Sequence, residues 1–200
     1  MPDIPRIYTA VAEWMACMLF ILPVKKRFQK WQTAGIMAAV LLIQSVFLVM
    51  TDDIKIYFWI PCMIVAVFLM IAFIYSCCEI TFTDAAYFGM IAFVVAEFMA
   101  SFEWQVLCYF FDEAMTNWWL CRGLLVLIYG AIALILYKIL RVHMPKDGKM
   151  NISHREYISA GLIAVAVFAV SNMSFLTENT PFSGRYSFEI GNIRTLVDLG

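Results

Sequence analysis

The side chains best able to do chemistry in this 200-residue chain are carboxylates placed where a lipid-spanning segment should carry none. Glu97 and Glu103, with Ser101 and Gln105, interrupt an apolar run that begins near Phe82 and ends at Phe111. Glu13 interrupts the first apolar run, and Gln44 and Ser45 interrupt the second. A charge near the bilayer centre costs between about 2.5 and 17 kcal/mol, depending on the reference state. Three uses would offset that cost: charge pairs that fix helix register, a ligand pocket, or a proton or ion pathway. The available cations are Arg122 and Arg194, and Asp198 follows Arg194 by one helical turn on the same face. Asn172 adds an amide. The candidate ligand-binding or signal-sensing set is therefore Glu13, Glu97, Glu103, Gln105, Arg122, Asn172, Arg194 and Asp198.

Other chemistries lack their parts. An intramembrane acid–base enzyme would pair Glu97 or Glu103 with a second catalytic group at matching depth, but the only histidines, His143 and His154, fall in a basic loop. The cysteines (Cys17, Cys62, Cys77, Cys78, Cys108 and Cys121) show no CxxC spacing, so no metal site is expected. They read as small apolar packing residues, although Cys77-Cys78 at a helix end would also suit reversible acylation. No phosphate-binding glycine loop and no nucleophile elbow is present, and no cofactor is expected. A net charge of −1 gives no reason to expect a nucleic-acid partner.

The elements that must position these residues are helices in a bilayer. Apolar residues make up 64% of the chain and the mean hydropathy is +0.82, where a soluble domain is about 45–50% apolar. The expected fold is all-α: a polytopic bundle of six transmembrane helices plus the first part of a seventh, forming a single domain. A spanning helix needs about 20 apolar residues. The runs predict helices over 7–24, 31–50, 57–78, 83–111, 118–140 and 157–176, with Pro61 in the first turn of the third. Ala85 and Gly89, four residues apart, would allow a close helix contact. No cleavable signal peptide precedes the first run, whose N-terminal flank holds only Arg6. Residues 189–200 read as a helix cut short: twelve residues reach about 18 Å against a hydrocarbon core of about 30 Å.

Charge sets the expected orientation. Lys25, Lys26, Arg27 and Lys30 follow the first helix; Lys138, Arg141, Lys146, Lys149 and Arg155 surround the fifth loop. These nine of the fourteen basic residues fall on one side of an alternating topology, so the N-terminus is expected outside and helix seven should enter the cytoplasm. Trp31 then lies at the inner interface, and Trp59, Trp118 and Trp119 at the outer. Helical rise puts Glu103 about 13 Å below the outer end of helix four and Glu97 about 9 Å deeper. The buried polar groups thus gather in the outer half. Glu13, Glu103, Arg122 and Arg194 would line a pocket open to the outer face. Glu97 and Glu103 stand about 240° apart around the helix, so they should serve different neighbours. Glu103 suits contact with Arg194 on the seventh helix, and Glu97 a buried structural hydrogen bond.

Three stretches carry a resemblance. Glu97-Phe98-x-Ala100-Ser101-x-Glu103-Trp104-Gln105, Asn179-Thr180-Pro181-Phe182-Ser183 and Ile193-Arg194-Thr195-Leu196-Val197-Asp198 resemble the membrane sensor halves of Firmicute histidine kinases that end in a GHKL-type ATPase. The likeness extends from Ile7 to Gly200. It implies a bacterial plasma-membrane protein of a two-component system, in which helix seven passes a peptide or small-molecule signal to a cytoplasmic kinase absent from this chain. It further implies homodimerisation and a response regulator acting through that absent part. Neither a phospho-accepting histidine motif nor an ATP-binding box occurs within the 200 residues. The competing reading is a solute-binding membrane subunit of a transporter, which an outward pocket would equally suit.

Overall fold

The structure is a computed structural model that describes residues 5–51, 56–110, 118–143 and 152–171. Among them lie six helices: α1 (Arg6–Ile21), α2 (Lys30–Met50), α3 (Ile56–Cys77), α4 (Phe82–Phe110), α5 (Trp118–His143) and α6 (His154–Ser171). No strand occurs among the described residues; one isolated antiparallel bridge joins Lys26 to Cys78. The described part of the chain is therefore all-helical. Residues 172–176 of the expected sixth helix and the whole of the expected seventh lie outside the described residues.

Local chemistry explains the boundaries. Leu22 keeps helical dihedrals and donates its N–H to the Met18 carbonyl at 2.9 Å, but Pro23 has no N–H to continue the ladder, so α1 ends at Ile21, three residues short of the expected stop. Gln29 and Gln32 form a reciprocal capping box at the start of α2. Thr81 accepts the Asp84 backbone N–H at 3.2 Å and donates its hydroxyl to Asp84 Oδ2 at 2.6 Å, which starts α4. Glu156 reaches back to the Ser153 N–H at 2.8 Å and starts α6. α5 runs three residues beyond its expected end, to His143, with Lys138 and Arg141 in its last turns where cations suit the helix dipole. Pro61 is the sixth residue of α3, further in than the expected first turn.

Four helices are long and apolar enough to cross a membrane: Lys30–Met50, Ile60–Cys77, Phe82–Leu107 and Trp119–Val142. The described part of α1 has 16 residues, about 24 Å of helix. α1 and α4 occupy the centre. Of the apolar window in α4, 61% is buried, against 11% in α5, so α5 gives most of its surface to its surroundings. α2 buries only Thr33, Gln44 and Leu48, while Leu42, Ile43, Val46 and Val49 lie exposed on it. Such exposed apolar surface on long helices is what hydrocarbon requires.

Helices consecutive in the chain alternate in direction. The Phe20 ring at the end of α1 stacks on Phe88 near the start of α4, centroids 5.5 Å apart. Tyr75 near the end of α3 meets Phe82 at the start of α4 edge-on at 5.9 Å. α6 runs parallel to α4, with Tyr87 against Tyr157 at 6.5 Å and Phe93 against Phe168 at 6.3 Å. At the end shared by the α1 and α3 C-termini, the Arg27 N–H donates to the Cys77 carbonyl at 2.9 Å and the Glu79 N–H to the Lys25 carbonyl at 3.0 Å. Lys25 Nζ and Glu79 Oε2 add an ion pair at 2.6 Å. The two connections on this side are thereby tied together. Gly89 is the closest helix approach: a Cβ there would fall 2.4 Å from Ile71 Cγ1 and 3.4 Å from the Ile71 Cα. The expected small-residue contact is thus the α3–α4 seam, with Ala85 fully buried one turn earlier.

Candidate functional site

A polar centre forms where α1, α2, α4 and α5 meet. On α1 a stripe of Thr9, Glu13, Ala16, Cys17 and Phe20 recurs at three- and four-residue spacing and faces inward. The small Ala and Cys positions let α4 approach, which carries Glu13 out of reach of solvent: it is 0% exposed. Its partner comes from α2, where Gln44 is likewise 0% exposed on an otherwise outward-facing helix. Gln44 Nε2 donates to Glu13 Oε2. One residue on from Glu13, Trp14 Nε1 donates to the Met37 carbonyl at 2.9 Å, a second tie between α1 and α2.

α4 contributes Glu97 and Ser101 one turn apart, and Glu103 on another face. All three are buried. Glu97 lies within electrostatic range of Glu13, and Glu103 within range of Tyr8 on α1. Both carboxylates act on Tyr129 of α5. The nearest α1 groups thus differ, Glu13 for Glu97 and Tyr8 for Glu103, while Tyr129 lies within electrostatic range of both. Tyr129 Oη donates to the Tyr8 carbonyl at 3.3 Å, and the Tyr8 hydroxyl lies 3.6 Å from Cys121 Sγ. These contacts tie the start of α1 to α5 beside Glu103.

The centre is incompletely satisfied. Among the described residues, six buried side-chain atoms have no hydrogen-bond partner: Glu13 Oε1, Gln44 Oε1, Ser101 Oγ, both oxygens of Glu103, and Gln105 Nε2. Five of the six are oxygens able to accept, so the centre as a whole is short of donors. Buried acceptors without donors are uncommon in folded proteins and cost about 1–3 kcal/mol each.

Glu13 and Glu97 approach each other between α1 and α4, Glu103 is buried near Tyr8 and Tyr129, and Gln105 is half-buried two residues on. Of the residues expected to line an open pocket, Glu13 and Glu103 are fully buried and Arg122 is exposed on α5, while Arg194 lies outside the described residues. The physical reason is packing. The small residues of α1 let α4 pack closely over the carboxylates. Arg122 does act electrostatically on Tyr8. Asn172, Arg194 and Asp198 lie outside the described residues. Gln44 as the partner of Glu13, and Tyr8, Tyr129 and Cys121 as neighbours of Glu103, were not singled out by sequence. Gln44 had a signal, an amide in an apolar run; the tyrosines had none, because Tyr also suits packing and interfaces.

No group of three or more His, Cys, Asp and Glu suited to a metal occurs among the described residues. Cys77 and Cys78 are 0% exposed, which is not the geometry of an acylated cysteine. His154 is exposed at the start of α6. A separate cleft of about 410 Å³ lies near the other end of the bundle between α4 and α6, with Tyr87, Ile91, Arg155 and Ile163 in its wall. It shares no residue with the polar centre. The chain matches no protein-family profile, no curated protein sequence and no solved structure.

Proposed function

We propose that this chain is the membrane-embedded sensing region of a bacterial signal-transducing protein, of the kind that regulates a cytoplasmic histidine kinase. In this reading the bundle crosses the plasma membrane six times with its N-terminus outside, and a seventh helix carries the signal inward. The observation that supports it best is Glu103: fully buried, with neither oxygen hydrogen-bonded among the described residues, at the meeting of α1, α4 and α5. A carboxylate left unsatisfied in the membrane is a functional group before it is a structural one. Signalling needs two arrangements that differ in affinity for the signal. An unsatisfied buried acid supplies the bias, because any ligand or rearrangement that gives it a donor lowers the energy of one arrangement.

The likeness of the segment from Glu97 to Gln105 to the sensor halves of GHKL-type kinases points the same way. So does the gathering of Lys25, Lys26, Arg27, Lys30, Arg141 and Arg155 towards one end. The test uses the intact gene product reconstituted in proteoliposomes with labelled ATP. Transfer of phosphate to the protein, altered in rate by Glu103→Gln, is the expected result. An intact product that neither binds nor hydrolyses ATP overturns the kinase reading and favours the transporter. Phosphorylation indifferent to Glu103→Gln removes that residue from sensing.

A further inference from the structure

The Glu13–Gln44 pair is a second buried acid with its own bookkeeping problem, independent of Glu103 and of the sensing reading. Both side chains are 0% exposed. One hydrogen bond joins them, from Gln44 Nε2 to Glu13 Oε2. The atoms left over are Glu13 Oε1 and Gln44 Oε1, and neither has a partner. Both are acceptors, on the same two residues, and each side chain is planar at its end. Turning the amide of Gln44 over does not help, since that merely sets its oxygen against the carboxylate oxygen that now accepts. In either orientation one donor is missing.

We propose that the pair is a proton-binding site, in which one proton on Glu13 Oε1 is donated to Gln44 Oε1. Acid and amide then form a closed, reciprocal pair with two hydrogen bonds and no orphan oxygen. The ligand is a proton, not a metal or an organic cation: a single hydrogen supplies the one missing donor and adds no volume to a packed seam. The surroundings favour a neutral pair. From α4 the facing group is a second carboxyl, Glu97. From α1 itself, the buried Cys17 thiol lies one turn away. From α2 the facing group is the uncharged Gln44. Among the described residues, no cation forms an ion pair or hydrogen bond with Glu13. Release of the proton would leave a charged carboxylate opposite an amide oxygen and near Glu97, and so would loosen the α1–α2 seam.

The test is infrared spectroscopy of the purified full chain in lipid nanodiscs, in light and heavy water. The wild type should show a protonated-carboxyl carbonyl band at neutral pH that Glu13→Gln removes. Glu13→Gln can make both hydrogen bonds with its own amide, so it should fold and keep its melting temperature. Gln44→Leu should retain the band but move it to higher frequency, as expected of a carboxyl group that has lost its partner; this variant decides the matter if Glu13→Gln does not fold. Protonated-carboxyl absorption identical in the wild type and Glu13→Gln overturns the proposal, as does a band unmoved in Gln44→Leu. Stabilisation of the wild type by sodium at fixed pH, absent from Glu13→Gln, also overturns it and assigns the site to a cation.

Discussion

Glu103 and Gln44 make opposite predictions when each is replaced by leucine. Glu103 holds two buried oxygens without a hydrogen bond among the described residues, so its polar group costs stability and its removal leaves no abandoned partner. Glu103→Leu should therefore raise the unfolding free energy by about 1–3 kcal/mol, seen as a higher melting temperature in detergent micelles. If the site senses a signal, the same change should abolish the response, and a stabilised but unresponsive variant is the expected phenotype. A lower melting temperature would mean that Glu103 holds a partner contact and would sink the argument. Gln44 is the donor to a buried acid, so Gln44→Leu should instead destabilise by about 1–3 kcal/mol, by removing the hydrogen bond that Gln44 Nε2 donates to Glu13 Oε2. Tyr129→Phe lies between: it removes the bond to the Tyr8 carbonyl and should cost about 0.5–1.5 kcal/mol in the same assay. The glutamates were legible in the sequence because a charge in an apolar run is rare and has to be explained. Their partners were not legible. Gln44 and Glu13 are 31 residues apart, and which amide meets which acid depends on the crossing of two helices, which no local pattern encodes.

At the scale of elements, the α3–α4 seam turns on one hydrogen atom. A methyl group at Gly89 would sit 2.4 Å from Ile71 Cγ1, well inside contact distance. Gly89→Ala should thus cost about 1–3 kcal/mol of stability by overpacking, although alanine is the better helix former. Trimming the neighbour should relieve the clash. The double variant Gly89→Ala/Ile71→Ala should be less destabilised than the sum of the two single changes, and chemical unfolding of all four proteins measures the coupling. Additive effects would show that the close approach is not where the helices meet. The Lys25–Glu79 pair is a contrasting element-level contact: its side chains are 70% and 45% exposed, so breaking it should change stability by less than about 1 kcal/mol. Helix existence and order followed from apolar run length, and the start of α4 from the Thr81 to Asp84 spacing. The end of α1 did not, because apolar residues continue past Ile21 and the helix stops where Pro23 has no N–H to donate. The small-residue spacing of Ala85 and Gly89 announced a close contact, but not that its partner is Ile71.

At the scale of the molecule, direction of insertion decides which compartment lies nearer the polar centre. The connection after α1 meets the connection after α3 through the Lys26–Cys78 bridge, and α6 starts near the same end. That end therefore collects Lys25, Lys26, Arg27, Lys30, Arg141 and Arg155, while Tyr8, Cys121 and Glu103 gather towards the other. Positive charge is retained on the cytoplasmic side during insertion, so the proposed topology sets Glu103 nearer the outside. In a cysteine-free background, a membrane-impermeant maleimide added to intact cells should label Asp53→Cys and spare Lys30→Cys until the membrane is opened. Labelling in the reverse order would place the polar centre nearer the cytoplasm and would remove an extracellular signal as its natural ligand. Replacing Lys25, Lys26, Arg27 and Lys30 together by glutamine should yield a mixed population, with a fraction of molecules inverted, because most of the charge bias at the first hairpin lies in those four residues. The inverted fraction should lose signalling without losing stability, since the Glu13–Gln44 and Gly89–Ile71 contacts are indifferent to which way the bundle faces.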